Sequence, residues 1–202
     1  MSYEPARPRA LTQHQQPFQA SEAIDARLIT ATQLRSSAWR RLVRDVYVDA
    51  RAEDSHLLRV FGAGLILPPE AAIAGRSAAV LFGAGEVQPM ARVEVVSPDF
   101  FGPIAGLAIH TNRIGPEEFT TFRGVRVTTS VHAAWEIARS RPPLEAVPWI
   151  DSLARARKLT AADLKLHAQL HRRVPGCRRA DKVLALCDPR AESPPESILR
   201  VQ

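Results

Sequence analysis

SEAIDARLITATQLRSSAWRRLVRDVYVDA, residues 21–50, changes its apolar period halfway along. Ala20, Ala23, Ile24 and Leu28 keep helical spacing around Ser21, and Thr30 stands where a cap would open a second short helix anchored by Leu34. From Trp39 onward, Leu42, Val43, Val46, Tyr47 and Val48 are the pattern of paired strands, and Arg44–Asp45 between them reads as a tight hairpin turn. Two short helices followed at once by a hairpin is the order of a winged helix-turn-helix, whose second helix lies in the major groove of DNA while the hairpin follows the backbone. With Leu34 turned inward, Thr32, Gln33, Arg35 and Ser36 face outward. Gln and Arg can bond base edges bidentately, and hydroxyls suit phosphates. Arg40, Arg41 and Arg44 on the hairpin can neutralise phosphates. The plainer alternative is a helix pair whose arginines are merely solvated.

Upstream, residues 1–17 hold three prolines and no apolar period, so they read as a flexible tail. Downstream, the spacing predicts helices over Ser55–Leu67 and Gly75–Phe82, closed by Pro68–Pro69 and by Gly83 with Gly85. Strands follow over Arg92–Val96, Leu107–Thr111 and Val125–Thr129. The last third reads as helices over Val131–Arg139, Leu144–Ala156, Ala161–His171 and Cys177–Leu186, with Thr160 and Asp163 as a capping pair. The fold class expected is α+β: a winged helix-turn-helix over 18–50, then a small mixed α/β domain with basic helices over 51–188, which ends in a C-terminal helical segment.

Composition bounds the function. With 202 residues, 46% of them hydrophobic, the chain can bury a core. Its longest apolar run, Phe61 to Pro69, is too short to span a membrane, and residues 1–16 lack the pattern of a secretory signal, so no membrane partner and a cytoplasmic location are expected. Two cysteines, Cys177 and Cys187, exclude a disulfide scaffold and any CxxC metal framework, and they read as small buried hydrophobes. The net charge of +6 is unevenly placed: residues 139–182 carry 11 Lys/Arg against 4 Asp/Glu, whereas residues 1–138 are balanced at 14 each. Arg172, Arg173, Arg178 and Arg179 sit in that basic stretch, the pattern of a patch that holds a polyanion without reading its sequence.

The opening from Phe18 through Ala50 resembles that of the AbiEi-type antitoxins of type IV toxin–antitoxin systems, in their actinobacterial branch. The likeness continues through AIAGRSAAVLFGA (72–84), RVEVVSP (92–98), FRGVRVTTSVHAAWEIA (122–138) and CDPRAESPPESILR (187–200). The resemblance implies an N-terminal winged-helix domain, a second α/β domain, and a transcriptional regulator that binds double-stranded DNA and represses its own operon, with a cognate toxin as a further partner. It places the DNA-facing segment at Thr32–Ser37 and the wing at Trp39–Val48, with Asp45 where the family's wing turn usually has glycine. Many such proteins continue into a domain like the very-short-patch repair endonuclease. Residues 189–202 resemble the linker and first helix of that domain, expected here as a loosely attached tail or short helix exposing Ile198, Leu199 and Val201. The alternative function is accordingly a truncated or inactive member of that endonuclease family, and a third is a module whose basic helices bind an acidic protein. No catalytic residue, metal ligand or cofactor is expected, and the sequence leaves the oligomeric state open.

Other constellations are weaker. His167 and His171 stand at i and i+4 in HAQLH, but with no glutamate base and no evident third ligand they read as a solvated basic face. Asp99 with Asp163 and Lys165 matches a nuclease pattern only formally, because Asp163 belongs to a helix cap. Gly62 and Gly64 lie inside an apolar helix with no phosphate-loop context, and Trp135 and Trp149 fit core stripes.

Overall fold

Four helices in this chain begin the same way. Thr30, Ser55, Thr129 and Thr160 each lie in extended backbone, and each hydroxyl accepts the N–H of the residue three positions on. That bond satisfies one of the amides left over at a helix start, which is why the chain turns from extended to helical at these points. The computed structural model describes residues 8–12, 15–156, 158–188 and 193–201.

The first unit comprises α1 (Arg9–Thr12), β1 (Phe18–Gln19), α2 (Ala20–Asp25), α3 (Ala31–Leu34), β2 (Trp39–Val43) and β3 (Val46–Asp49). Its three strands are antiparallel in the order β1-β3-β2. Asp45 makes the hairpin turn at φ +61°, a left-handed conformation that Asp tolerates better than most residues. Its carboxylate also accepts from the Ser21 backbone N–H (3.2 Å) and hydroxyl (2.6 Å), so the turn of the hairpin caps the first turn of α2. Trp39 packs edge-on to Phe18, ring centroids 5.2 Å apart, over Leu34, Ala23 and Ile29. Leu11 of α1 is buried in the same cluster, so part of the expected tail is folded; residues 1–7, 13 and 14 lie outside the described residues.

The second unit follows as α4 (His56–Gly64), β4 (Ala72–Ile73), α5 (Gly75–Leu81), β5 (Val93–Ser97), β6 (Leu107–Thr111), a single 3-10 turn over Pro116–Glu118, β7 (Phe119–Phe122) and β8 (Val125–Thr128). Its mixed sheet runs β6-β5-β4-β8-β7, parallel at β5/β6 and β4/β8 and antiparallel elsewhere. Among the described residues, five further helices follow: α6 (Ser130–Ser140), α7 (Pro143–Arg155), α8 (Ala161–Leu170), α9 (Cys177–Leu184) and α10 (Pro194–Val201). All five residues of β5 are buried; Val93 and Val95 join the main core, while Val96 packs with Ala72 and Phe119. A strand covered on both faces usually reads as a continuous apolar run. VEVVS departs from this at Glu94, whose carboxylate is paired with Arg76, and at Ser97, which lies at the strand end.

Two boundaries differ from expectation. Leu42, Val43, Val46 and Val48 of the hairpin share one core with Val60, Val93 and Val127, so no boundary in packing falls at residue 50. Gly62 explains the close fit: a Cβ there would lie 3.2 Å from Leu42 Cδ1 and 3.3 Å from Val46 Cγ1. The C-terminal segment is docked rather than loose. Ser197 is fully buried on α7, its hydroxyl donates to Asp151 Oδ2 at 2.7 Å, and Arg200 pairs with the same carboxylate at 2.5 Å. Val201 packs against the helical core, whereas Ile198 and Leu199 are exposed as expected. Of the expected remnant, residues 189–192 and 202 lie outside the described residues.

Candidate functional site

The helix–hairpin unit places its candidate residues unequally. Thr32, Arg35, Arg41 and Arg44 are exposed, and none of these three arginines has a carboxylate partner among the described residues. Gln33 is largely used internally: its Oε1 accepts from the Thr30 N–H (2.8 Å) and hydroxyl (3.0 Å), closing the box that starts α3. The Ser36 hydroxyl donates to the Gln33 carbonyl at 2.7 Å. Arg40 is drawn into the fold, with Nη1 2.8 Å from Asp54 Oδ1 and Nη2 donating to the Ala52 carbonyl. Arg41 keeps its exposure while its Nε donates to the Val43 carbonyl.

In the basic stretch, Arg172, Arg173, Arg178 and Arg179 are all exposed. Gly176, at φ +89°, turns the chain between the two pairs and stands ahead of α9. Its left-handed backbone is one that L side chains rarely adopt, and a Cβ there would lie 2.9 Å from the Arg139 carbonyl. Cys177 and Cys187 are free and half-buried, and burial pushes the Cys187 thiol up to about 12. Asp163 completes the Thr160 cap, while Asp99 faces Arg113 across 3.8 Å in solvent.

A second constellation corrects the reading of His167 and His171. These residues are not on a solvated face. The 3-10 turn brings Glu118 under the start of α6, where its Oε1 lies 3.2 Å from His132 Nδ1, 3.5 Å from His167 Nε2 and 2.5 Å from His171 Nε2. Four potential ligand atoms of these side chains lie within 4.8 Å of one another. His132 is wholly buried, Glu118 and His167 nearly so. Trp135 walls the group, its ring 4.8 Å from that of His171. Behind His132, the Nε2 atom faces Glu136 Oε1 at 3.8 Å, and Glu136 in turn accepts from the Gly75 N–H and lies 3.7 Å from Arg139.

The electrostatics favour positive charge at this point. Burial would drive the His132 imidazole down, but the facing carboxylates of Glu118 and Glu136 outweigh that and raise it to about 9. Burial would raise Glu118, yet His132, the Gly115 N–H and His171 hold it at about 2. His167 is pushed down to about 4, first by burial and then by His132 and His171. Such a cluster can store a proton between carboxylates or hold a cation in its place. The missed residues are Glu118, His132 and Glu136. A signal for two of them exists in the sequence: HAAWE sets His132 and Glu136 at i and i+4, as HAQLH sets His167 and His171.

Compared with known protein families and with curated proteins, the chain matches no family model and no curated sequence.

Proposed function

We propose that this chain is a DNA-binding regulator that holds double-stranded DNA through its N-terminal unit, arranged as a winged helix-turn-helix. The observation that carries the proposal is the element order helix–strand–helix–helix–hairpin with the sheet order β1-β3-β2. In that arrangement β1 pairs with the second strand of the hairpin, and Thr30, Ala31 and Thr32 at the start of α3 are exposed. Arg35 after α3 and Arg41 and Arg44 on the hairpin are exposed cations with no carboxylate partner among the described residues, which is what phosphate contacts require. Arg172, Arg173, Arg178 and Arg179 would add an anchor indifferent to sequence. The antitoxin role, repression of its own operon and a cognate toxin as second partner are supported by the AbiEi resemblance alone.

The test is fluorescence anisotropy on duplex DNA across a salt series, with the triple variant R35A/R41A/R44A. All three side chains are exposed, so the variant should melt like the parent. Its slope of log K against log salt should shrink by about 2–3. A folded variant with an unchanged slope would remove the N-terminal unit from the DNA interface.

A further inference from the structure

We infer that Glu118, His132, His167 and His171 form a closed tetrahedral site for a divalent transition-metal ion, with zinc the ion their donors fit best. This inference stands apart from DNA binding and uses none of the same residues.

The first support is crowding. One carboxylate oxygen, with two lone pairs, is approached by three imidazole nitrogens at 2.5, 3.2 and 3.5 Å. It cannot accept from all three. His132 Nδ1, His132 Nε2 and His167 Nε2 are shielded from solvent, and none finds a hydrogen bond of good geometry. Unpaired buried nitrogens are costly, and native folds rarely keep three of them in one place. A cation at the centre turns His132 Nδ1, His167 Nε2 and His171 Nε2 into ligands and relieves the crowding at Glu118, while His132 Nε2 stays turned toward Glu136.

The second support is distance. Zinc bonds to nitrogen and oxygen of 2.0–2.2 Å set the corners of a tetrahedron about 3.3–3.6 Å apart. Two of the three separations from Glu118 Oε1 already lie close to that value, and the third needs to open by about 1 Å. The third support is the layer behind the donors. A metal-bound histidine commonly donates its remaining N–H to a carboxylate, and Glu136 faces His132 Nε2, itself fixed by the Gly75 amide.

The donor set decides the ion. Three imidazoles and one carboxylate are unsuited to calcium or magnesium, which take oxygen ligands, and suit zinc in four-coordination. Four protein donors leave no open position, so the ion would be structural. It would clip together the turn before β7, the start of α6 and the end of α8.

The experiment uses full-length protein purified without a histidine tag, stripped with a chelator, and titrated with zinc chloride. One zinc per chain should bind, and melting should rise by roughly 5–10 °C at a hundredfold excess over Kd. Zinc K-edge X-ray absorption should show only nitrogen and oxygen neighbours near ~2.0 Å. H167Q and H171N should each lose stoichiometric binding, whereas H110Q, at an exposed histidine on β6 that is not one of the four donors, should keep it. Because a ligand variant can misfold, cobalt substitution of the wild-type protein gives a separate readout: the intense visible bands of tetrahedral cobalt(II). Failure of the stripped, folded protein to bind zinc stoichiometrically would overturn the site and leave a protonated His132 in its place. A sulfur neighbour would also overturn it, by moving the ion to Cys177 or Cys187.

Discussion

The helix–hairpin unit and the histidine cluster are built on opposite plans. Thr30 closes on Gln33 and Arg44–Asp45 closes the hairpin, so the outward face of the first is set largely by residues near one another in sequence, bonded in solvent. Glu118 and His171 meet across 53 residues, and their cluster is buried. Exposed hydrogen bonds are each worth about 1 kcal/mol, and their loss is partly made good by water. Buried charges are expensive whenever one partner is removed. The comparison teaches that the exposed unit should tolerate single changes and show them in binding, while the buried cluster should show them in stability.

The largest effect should come from His132→Ala. It leaves Glu118 and Glu136 buried without the imidazole between them, and urea denaturation should show a loss of about 3–5 kcal/mol. A loss below ~1 kcal/mol would erase the contrast between the two regions.

Next comes Gly64→Ala. Gly64 is the last residue of α4, where the propensity gain of alanine is below the ~1 kcal/mol of a helix interior, and a Cβ here would sit 2.8 Å from Val125 Cγ2. We expect a net loss of about 1–2 kcal/mol from overpacking; a gain would show that β8 can yield.

Thr30→Ala, which removes the cap of α3, should cost about 1 kcal/mol at most. Its larger consequence should be weaker DNA binding, because Gln33 and the outward face of α3 lose their fixed orientation.

The smallest effect belongs to Asp54→Asn, and it sharpens the comparison within the hairpin itself. Burial pushes the Asp54 carboxyl up, but Arg40 and Arg59 outweigh this and hold it below its usual value. A depressed carboxylate stabilises the fold above its unfolded value near ~4 and loses that contribution as pH falls through the folded value. Thermal melts below about pH 4 should therefore fall less steeply in D54N than in the parent. The released Arg40 should also add up to about one unit to the salt slope of DNA binding.

Legibility followed the same division. The Thr30 and Thr160 caps, the Arg44–Asp45 turn, the strand Leu107–Thr111 and the long helices were all readable, because each is specified by residues within a few positions. The strands Phe18–Gln19 and Ala72–Ile73 were not: two residues carry no period, and only their partners make them strands. Phe119–Phe122 does not alternate: two adjacent threonines separate its aromatics, so it gives little strand signal. The docking of residues 193–201 depends on Asp151, whose burial on α7 nothing local announces. His167 and His171 were visible as a pair and misjudged, because the carboxylate that gathers them lies before β7. Arg40 is legible as a cation, but its partner Asp54 lies beyond the hairpin, where no local pattern links the two.

The core shared by the hairpin and the larger sheet has a mechanical consequence. Leu42 and Val46 are fitted against Gly62, and the sheet continues from that contact. A recognition head on a flexible tether would sample many orientations and lose that freedom each time it bound. Here the freedom is surrendered on folding, so engagement of a ligand by the hairpin would orient the whole protein as one body, without a second ordering cost. The same weld implies that the hairpin cannot melt alone. In amide exchange, the N–H groups of Val46 and Val48 should open together with those of Val93 and Val95, as one cooperative block.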